Sequence, residues 1–258
     1  MANRLRYPFI HHQHVKDQRT MSTFKKSKNL LSISADNKTI KGEKIGYLTG
    51  ILYLAPANTT KYNTCSMAHK AQCAVACLYS AGRGAFNNVQ QSRIDKTLYF
   101  YEAREEFMNT LFKNIKSLIK KAESKGLKPL VRLNGTSDIR FENVPFESYD
   151  NIFEAFPKVQ FYDYTKDSNR KDLPANYDLT FSYSGVESFK PYVFKAQSKG
   201  MRMAVVFRKA DNIPSTFKGI SVVFGDNSDV RHLDDQGVIV GLYAKGKAKN
   251  DTTGFVVN

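Results

Sequence analysis

The chain has 258 residues, 41% of them hydrophobic and 12% aromatic, which is too much apolar material for a disordered protein. A formal net charge of +15 makes nucleic acid or another polyanion a natural partner class. No apolar run approaches the length of a membrane span, and the charges in MANRLRYPF stand where a secretory leader needs its apolar core, so the expected location is the cytoplasm, away from membranes.

Residues 1–44 read as a basic, polar N-terminal arm, with His11, His12 and His14 near its start and Lys25, Lys26 and Lys28 further on. A domain over residues 45–258 then opens on a strand at 45–54, IGYLTGILYL, rich in branched and aromatic residues and closed by Ala-Pro-Ala-Asn. Directly after it, residues 65–84 hold every cysteine of the chain in CSMAHKAQCAVACLYSAGRG. The pattern C-x7-C-x3-C puts Cys73 and Cys77 one helical turn apart, on a helix ended by Gly82-Arg83-Gly84, with Cys65 arriving from the preceding loop. Thiols gathered in this way point to ligands on one metal centre. Three thiolates suit an iron–sulfur cluster that keeps one iron open, whereas a closed zinc site needs a fourth ligand, which His69 would supply as Cys3His. Buried, inert thiols are the plain alternative. An odd cysteine count argues against a structural disulfide.

A long helix is expected over 87–124, with Phe107, Leu111, Ile115, Leu118 and Ile119 forming its buried face and Lys113, Lys116, Lys120 and Lys121 a solvated one. Lys125-Gly126 stops it. Strands follow at 128–133 and, after a short helix at 149–156 closed by Pro157, at 159–165. A fourth strand at 177–183, a covering helix at 186–200, and strands at 201–207, 220–224 and 237–245 complete the pattern.

Alternating strands and helices predict a parallel α/β sheet, and no dinucleotide glycine fingerprint follows the first strand. A partial (βα)6-type barrel is expected, with NGTSD (Asn134, Gly135, Thr136, Ser137, Asp138), YTK, SYSG and GDNSD at the carboxyl ends of its strands. Tyr162, Tyr164, Lys166, Asp226, Asp229 and Arg231 are candidates for the rim. Lys245, Lys247 and Lys249 alternate in the tail, so a strand there would set them on one face, suited to phosphate or to a protected edge.

A cysteine loop after the first strand, with a polar rim on a βα repeat, resembles the radical S-adenosylmethionine superfamily. That resemblance implies a [4Fe–4S] cluster on Cys65, Cys73 and Cys77, with S-adenosylmethionine chelating the open iron. It further implies that Asn134–Asp138 lie near the cofactor's amino group, that Ser182 and Ser184 lie near its ribose, and that Tyr164 and Lys166 line the rim. The cysteine gaps are wider than the C-x3-C-x2-C usual in that superfamily. More closely, CLYSAGRG, VRLNGTSD, FYDYTK and AKGKAKNDTTGFV resemble a family of bacteriophage and prophage proteins, over residues 45–258. The substrate is left open. The rival expectation is a non-enzymatic basic phage protein in the host cytoplasm that binds nucleic acid or a host protein and carries a structural zinc.

Overall fold

The computed structural model describes residues 24–34 and 37–258, so His11, His12 and His14 lie outside the described residues. The strands are β1 (Leu31–Ile33), β2 (Tyr47–Leu52), β3 (Lys128–Arg132), β4 (Gln160–Thr165), β5 (Tyr177–Ser182), β6 (Met203–Phe207), β7 (Thr216–Phe217), β8 (Ile220–Phe224) and β9 (Ile239–Tyr243). They form one nine-stranded sheet in the order β1-β2-β3-β4-β5-β6-β9-β8-β7. Neighbours from β2 to β8 run parallel, while β1 and β7 add antiparallel edges. The sheet is therefore open. From β2 to β6 it is wound in sequence order, and β9 then inserts between β6 and β8.

Four α-helices accompany it: α1 (Asn37–Glu43), α2 (Asn87–Glu102), α3 (Arg104–Ser124) and α4 (Lys190–Ser198). The long helix expected over 87–124 is broken at Ala103, whose φ of −140° and ψ of 57° leave the helical region. On α3, Phe107, Leu111, Ile115 and Leu118 are fully buried at the predicted spacing and pack with Leu48, Leu52, Val131 and Phe161 of the sheet. Lys113, Lys116, Lys120 and Lys121 are exposed on its other side. Val193 and Ala196 of α4 continue this helical layer over Phe181, Met203 and Val205.

No helix forms over 149–156. The Asn151 side chain accepts hydrogen bonds from the amides of Phe153 (3.1 Å) and Glu154 (3.2 Å), a local turn that competes with helical pairing. The packed chain also begins before residue 45. Leu30 is fully buried, and β1 pairs with β2 through Leu31 and Leu52.

The other face of the sheet is polar and is covered by the β8–β9 connection. Val230 packs on Tyr47, Leu130 and Tyr162. Asp229 accepts from Arg132 (3.2 Å), Tyr162 (2.8 Å) and Tyr164 (3.2 Å). This connection starts from β8, near one edge, and reaches β2, near the other, where His232 meets the Tyr47 ring edge-on at 5.0 Å. Asp226, expected at the rim, accepts from Lys245 at 2.7 Å.

At the end of β4, fully buried Asp163 accepts from the amides of Leu133 (3.2 Å) and Asn134 (2.8 Å) and from the Tyr177 hydroxyl (3.1 Å). Burial lifts its carboxyl to about 6, against the downward pull of Arg132. Between pH 4 and 6, roughly, the folded protein thus holds a proton the unfolded chain has released, and stability falls as pH rises through that window. Asp163→Asn is expected to remove this component, worth about 3 kcal/mol. Urea melts of both proteins at pH 4 and pH 7 check it, and parallel pH profiles would contradict it.

Candidate thiol site at the carboxyl ends of the strands

Because β2 to β5 are parallel, their carboxyl ends share one edge of the sheet, and the cysteine loop folds back over it. The helix expected to carry Cys73 and Cys77 does not form. Residues 65–77 run through successive turns, fastened to strand ends by side chains from elsewhere. Fully buried Ser184, just after β5, donates to the Ala71 carbonyl at 2.9 Å. The amide of Asp138 donates to the Thr64 carbonyl at 2.8 Å, and the Thr64 hydroxyl donates to Ala55 O at 2.6 Å. Ala71 itself is fully buried in the cluster beneath α4.

This pinning turns all three free cysteines inward. Cys65 Sγ lies 3.8 Å from the Thr136 carbonyl oxygen, and Cys73 Sγ lies 3.8 Å from that of Ala68. Burial pushes all three thiols up, Cys65 to about 12, as expected of metal-free sulfur in a dry setting. Cys77 lies within electrostatic reach of both Cys65 and Cys73.

Lys166 stands where the three converge. Leaving the end of β4, it sends its ammonium to Ser182 O (2.9 Å), Ser182 Oγ (2.9 Å) and Tyr183 O (3.1 Å). Burial lowers its pKa to about 8, while Cys73, Asp138, Cys77 and Cys65 oppose that change, so one ammonium feels every thiol of the chain. The ring of Phe255 covers it at 4.6 Å. Phe255 arrives on the C-terminal segment, where Ala244, Ala248 and Val256 pack with Ala76 and Cys73 to close the site from outside.

Asn134–Asp138 form the floor, and their side chains are engaged within the protein. Asn134 Oδ1 accepts from Ser137 Oγ and the Ile139 amide, each at 2.8 Å, and Thr136 Oγ1 donates to Leu54 O at 2.5 Å. Asp138 accepts from the Lys166 amide (2.8 Å) and pairs with Arg170 (3.0 Å). Gly135 is required by close approach, but the approach is to protein: a Cβ there would stand 2.5 Å from the Tyr53 ring and 2.8 Å from Ile51.

The remaining candidates are placed elsewhere. Tyr164 belongs to the Asp229 cluster, with Arg132 Cζ 4.8 Å from its ring. The tail lysines do not alternate on a strand, since β9 ends at Tyr243. Lys245 pairs with Asp226, while Lys247 and Lys249 are exposed on a short 3-10 turn over Gly246–Asn250. His69 Nε2 faces the Asn58 amide at 3.3 Å.

Arg93 and Arg170 were not flagged by the sequence. Arg170 lies in a polar loop where nothing marks burial, yet its side chain is 1% exposed. Arg93 lies on α2 among Gln91, Ser92 and Asp95, and that helical setting reads as solvated.

Among the described residues no group of three or more His, Cys, Asp or Glu is arranged to hold a metal ion, so the Cys3His set does not converge on one point. A four-iron cube is larger than one ion, and its thiolates must stand apart around it, so three inward thiols about a buried ammonium suit the cluster better. No helix among the described residues is long and apolar enough to cross a membrane. No curated protein and no solved structure matches the chain. The model of the gene product 88 family matches residues 22–258, which takes in every strand, the cysteine loop and the closing tail, and the chain belongs to that phage-type family.

Proposed function

We propose that this gene product 88 protein is an iron–sulfur protein, with Cys65, Cys73 and Cys77 holding a [4Fe–4S] cluster at the carboxyl edge of a partial barrel. The observation that carries this reading is the convergence of the three thiols on Lys166. The sequential order of β2 to β6 and the reach of the β8–β9 connection from β8 to β2 support the barrel part.

A cluster bound there would supply one-electron transfer, and with three cysteine ligands it would leave one iron for a non-protein ligand. The protein's own part is to anchor the sulfurs, exclude water beneath Phe255 and hold positive charge at Lys166. S-adenosylmethionine is the ligand the radical superfamily calls for. Both Asp138 oxygens are already engaged, so its ammonium would have to meet backbone oxygens of the Asn134–Asp138 turn.

Anaerobically prepared protein is expected to be brown, with about four irons and four acid-labile sulfides per chain. Equilibrium dialysis of that protein with labelled S-adenosylmethionine tests the second step. Stoichiometric zinc without sulfide overturns the first, and a replete cluster that binds no S-adenosylmethionine overturns only the second.

A further inference from the structure

Arg93 is a buried cation that the protein leaves without an anion. It keeps 8% of its exposure, and its Nε and Nη1 have no hydrogen-bond partner. Its guanidinium carbon lies 4.8 Å from the ring centroid of Tyr53 and 5.4 Å from that of Tyr79. The loop after the cysteines is shaped to admit it: a Cβ at Gly84 would stand 3.2 Å from both Nη1 and Nη2 and 2.8 Å from Tyr79 O.

Burial lowers the Arg93 pKa, and the acidic groups that oppose this are Tyr53, Cys77 and Tyr79, none of them a carboxylate. Two aromatic faces soften the loss of water around a guanidinium but leave its N–H groups unpaired. An unpaired buried charge is among the costliest arrangements in a protein, and a neutral Cys77 thiol does not relieve it. Cys77 in turn has two cations that favour its thiolate, Arg93 and Lys166.

We infer that Arg93 is the counter-ion of an anionic, thiolate-bound metal–sulfur group carried on Cys77, and that it tunes that group's reduction. This rests on the iron–sulfur reading above. Three thiolates outweigh the charge of the metal–sulfide core, so the group is an anion, and taking up one electron makes it more so. A fixed cation beside it then stabilises the reduced form more than the oxidised form and raises the potential.

The test compares anaerobically reconstituted wild-type, Arg93→Gln and Arg93→Lys proteins, with melting curves to check that each is folded. Iron and sulfide per chain, the rate of iron loss to a chelator and the midpoint potential are measured. Arg93→Gln is expected to shift the potential to more negative values and lose iron several-fold faster, and Arg93→Lys to recover part of both. Should the glutamine protein not fold, Arg93→Met, of similar bulk, supplies the neutral comparison. A neutral variant with the wild-type potential and iron-loss rate overturns the inference and leaves the cluster standing. Wild-type protein without iron or sulfide overturns the cluster reading, and this inference with it.

Discussion

Alanine in place of Cys65, Cys73 or Cys77 is expected to remove most of the iron and sulfide from anaerobically reconstituted protein, whereas His69→Ala keeps both. Each thiol enters the site on its own stretch of backbone, Cys65 against Thr136 O, Cys73 against Ala68 O and Cys77 just before the Leu78–Ser80 turn. None can stand in for another, because Ser184 and Asp138 fasten the loop between and beside them. A cluster left with two protein ligands exposes a second iron to solvent and chelators, so loss should be nearly complete. His69 points to Asn58. Iron and sulfide analysis with visible absorbance spectra reads the outcome, and metal lost from His69→Ala but retained by one cysteine variant would favour the zinc site.

The parallel sheet was legible because its strands are short apolar runs bounded by Gly, Asn and Asp, and α3 because its apolar residues recur at helical spacing. The helix at 149–156 was misread because periodicity carries no information about the Asn151 side chain, which takes over the amides that a helix would use. Cys73 and Cys77 have helical spacing but sit in turns, since long-range ties from Ser184 and Asp138 outweigh local preference. The cysteines, Lys166 and the Asn134–Asp138 turn were visible as chemistry after strands, and parallel topology brings such positions to one edge. Tyr164 was grouped with them for the same reason. Its alternation on β4 instead turns it to the face covered by Asp229, and the β8–β9 connection that covers that face leaves no signature in the sequence. The long-range partners of Arg93 and Arg170 are equally invisible there, because burial of a cation depends on which loops close over it.

Asp138→Ala is expected to lower stability by about 3 kcal/mol, the scale for breaking a buried ion pair. Arg170 carries four contacts from a side chain that is 1% exposed: Asp138 (3.0 Å), Glu142 (3.4 Å), Tyr177 (3.1 Å) and the Ile139 carbonyl (2.9 Å). Burial raises the Asp138 carboxyl, and Arg170 followed by the Lys166 amide draws it back down, so the pair holds its charge through mutual contact. Alanine would leave the Lys166 amide and one arm of Arg170 unpaired, and Glu142, at 3.4 Å, is too distant to replace the stronger partner. Asp138→Asn, which keeps an acceptor, should lose roughly half as much. Adding Arg170→Met to Asp138→Ala should lose less than the sum of the single changes, since it removes the stranded charge. Urea midpoints for the four proteins decide this. Since the same carboxylate fixes the start of Lys166 and the turn that offers Thr136 O to Cys65, iron content should fall in step with stability across the series. A destabilised Asp138→Ala protein that still holds full iron would mean that the thiol loop is fastened through Ser184 alone, and a variant as stable as wild type would mean that Glu142 and Tyr177 suffice for Arg170.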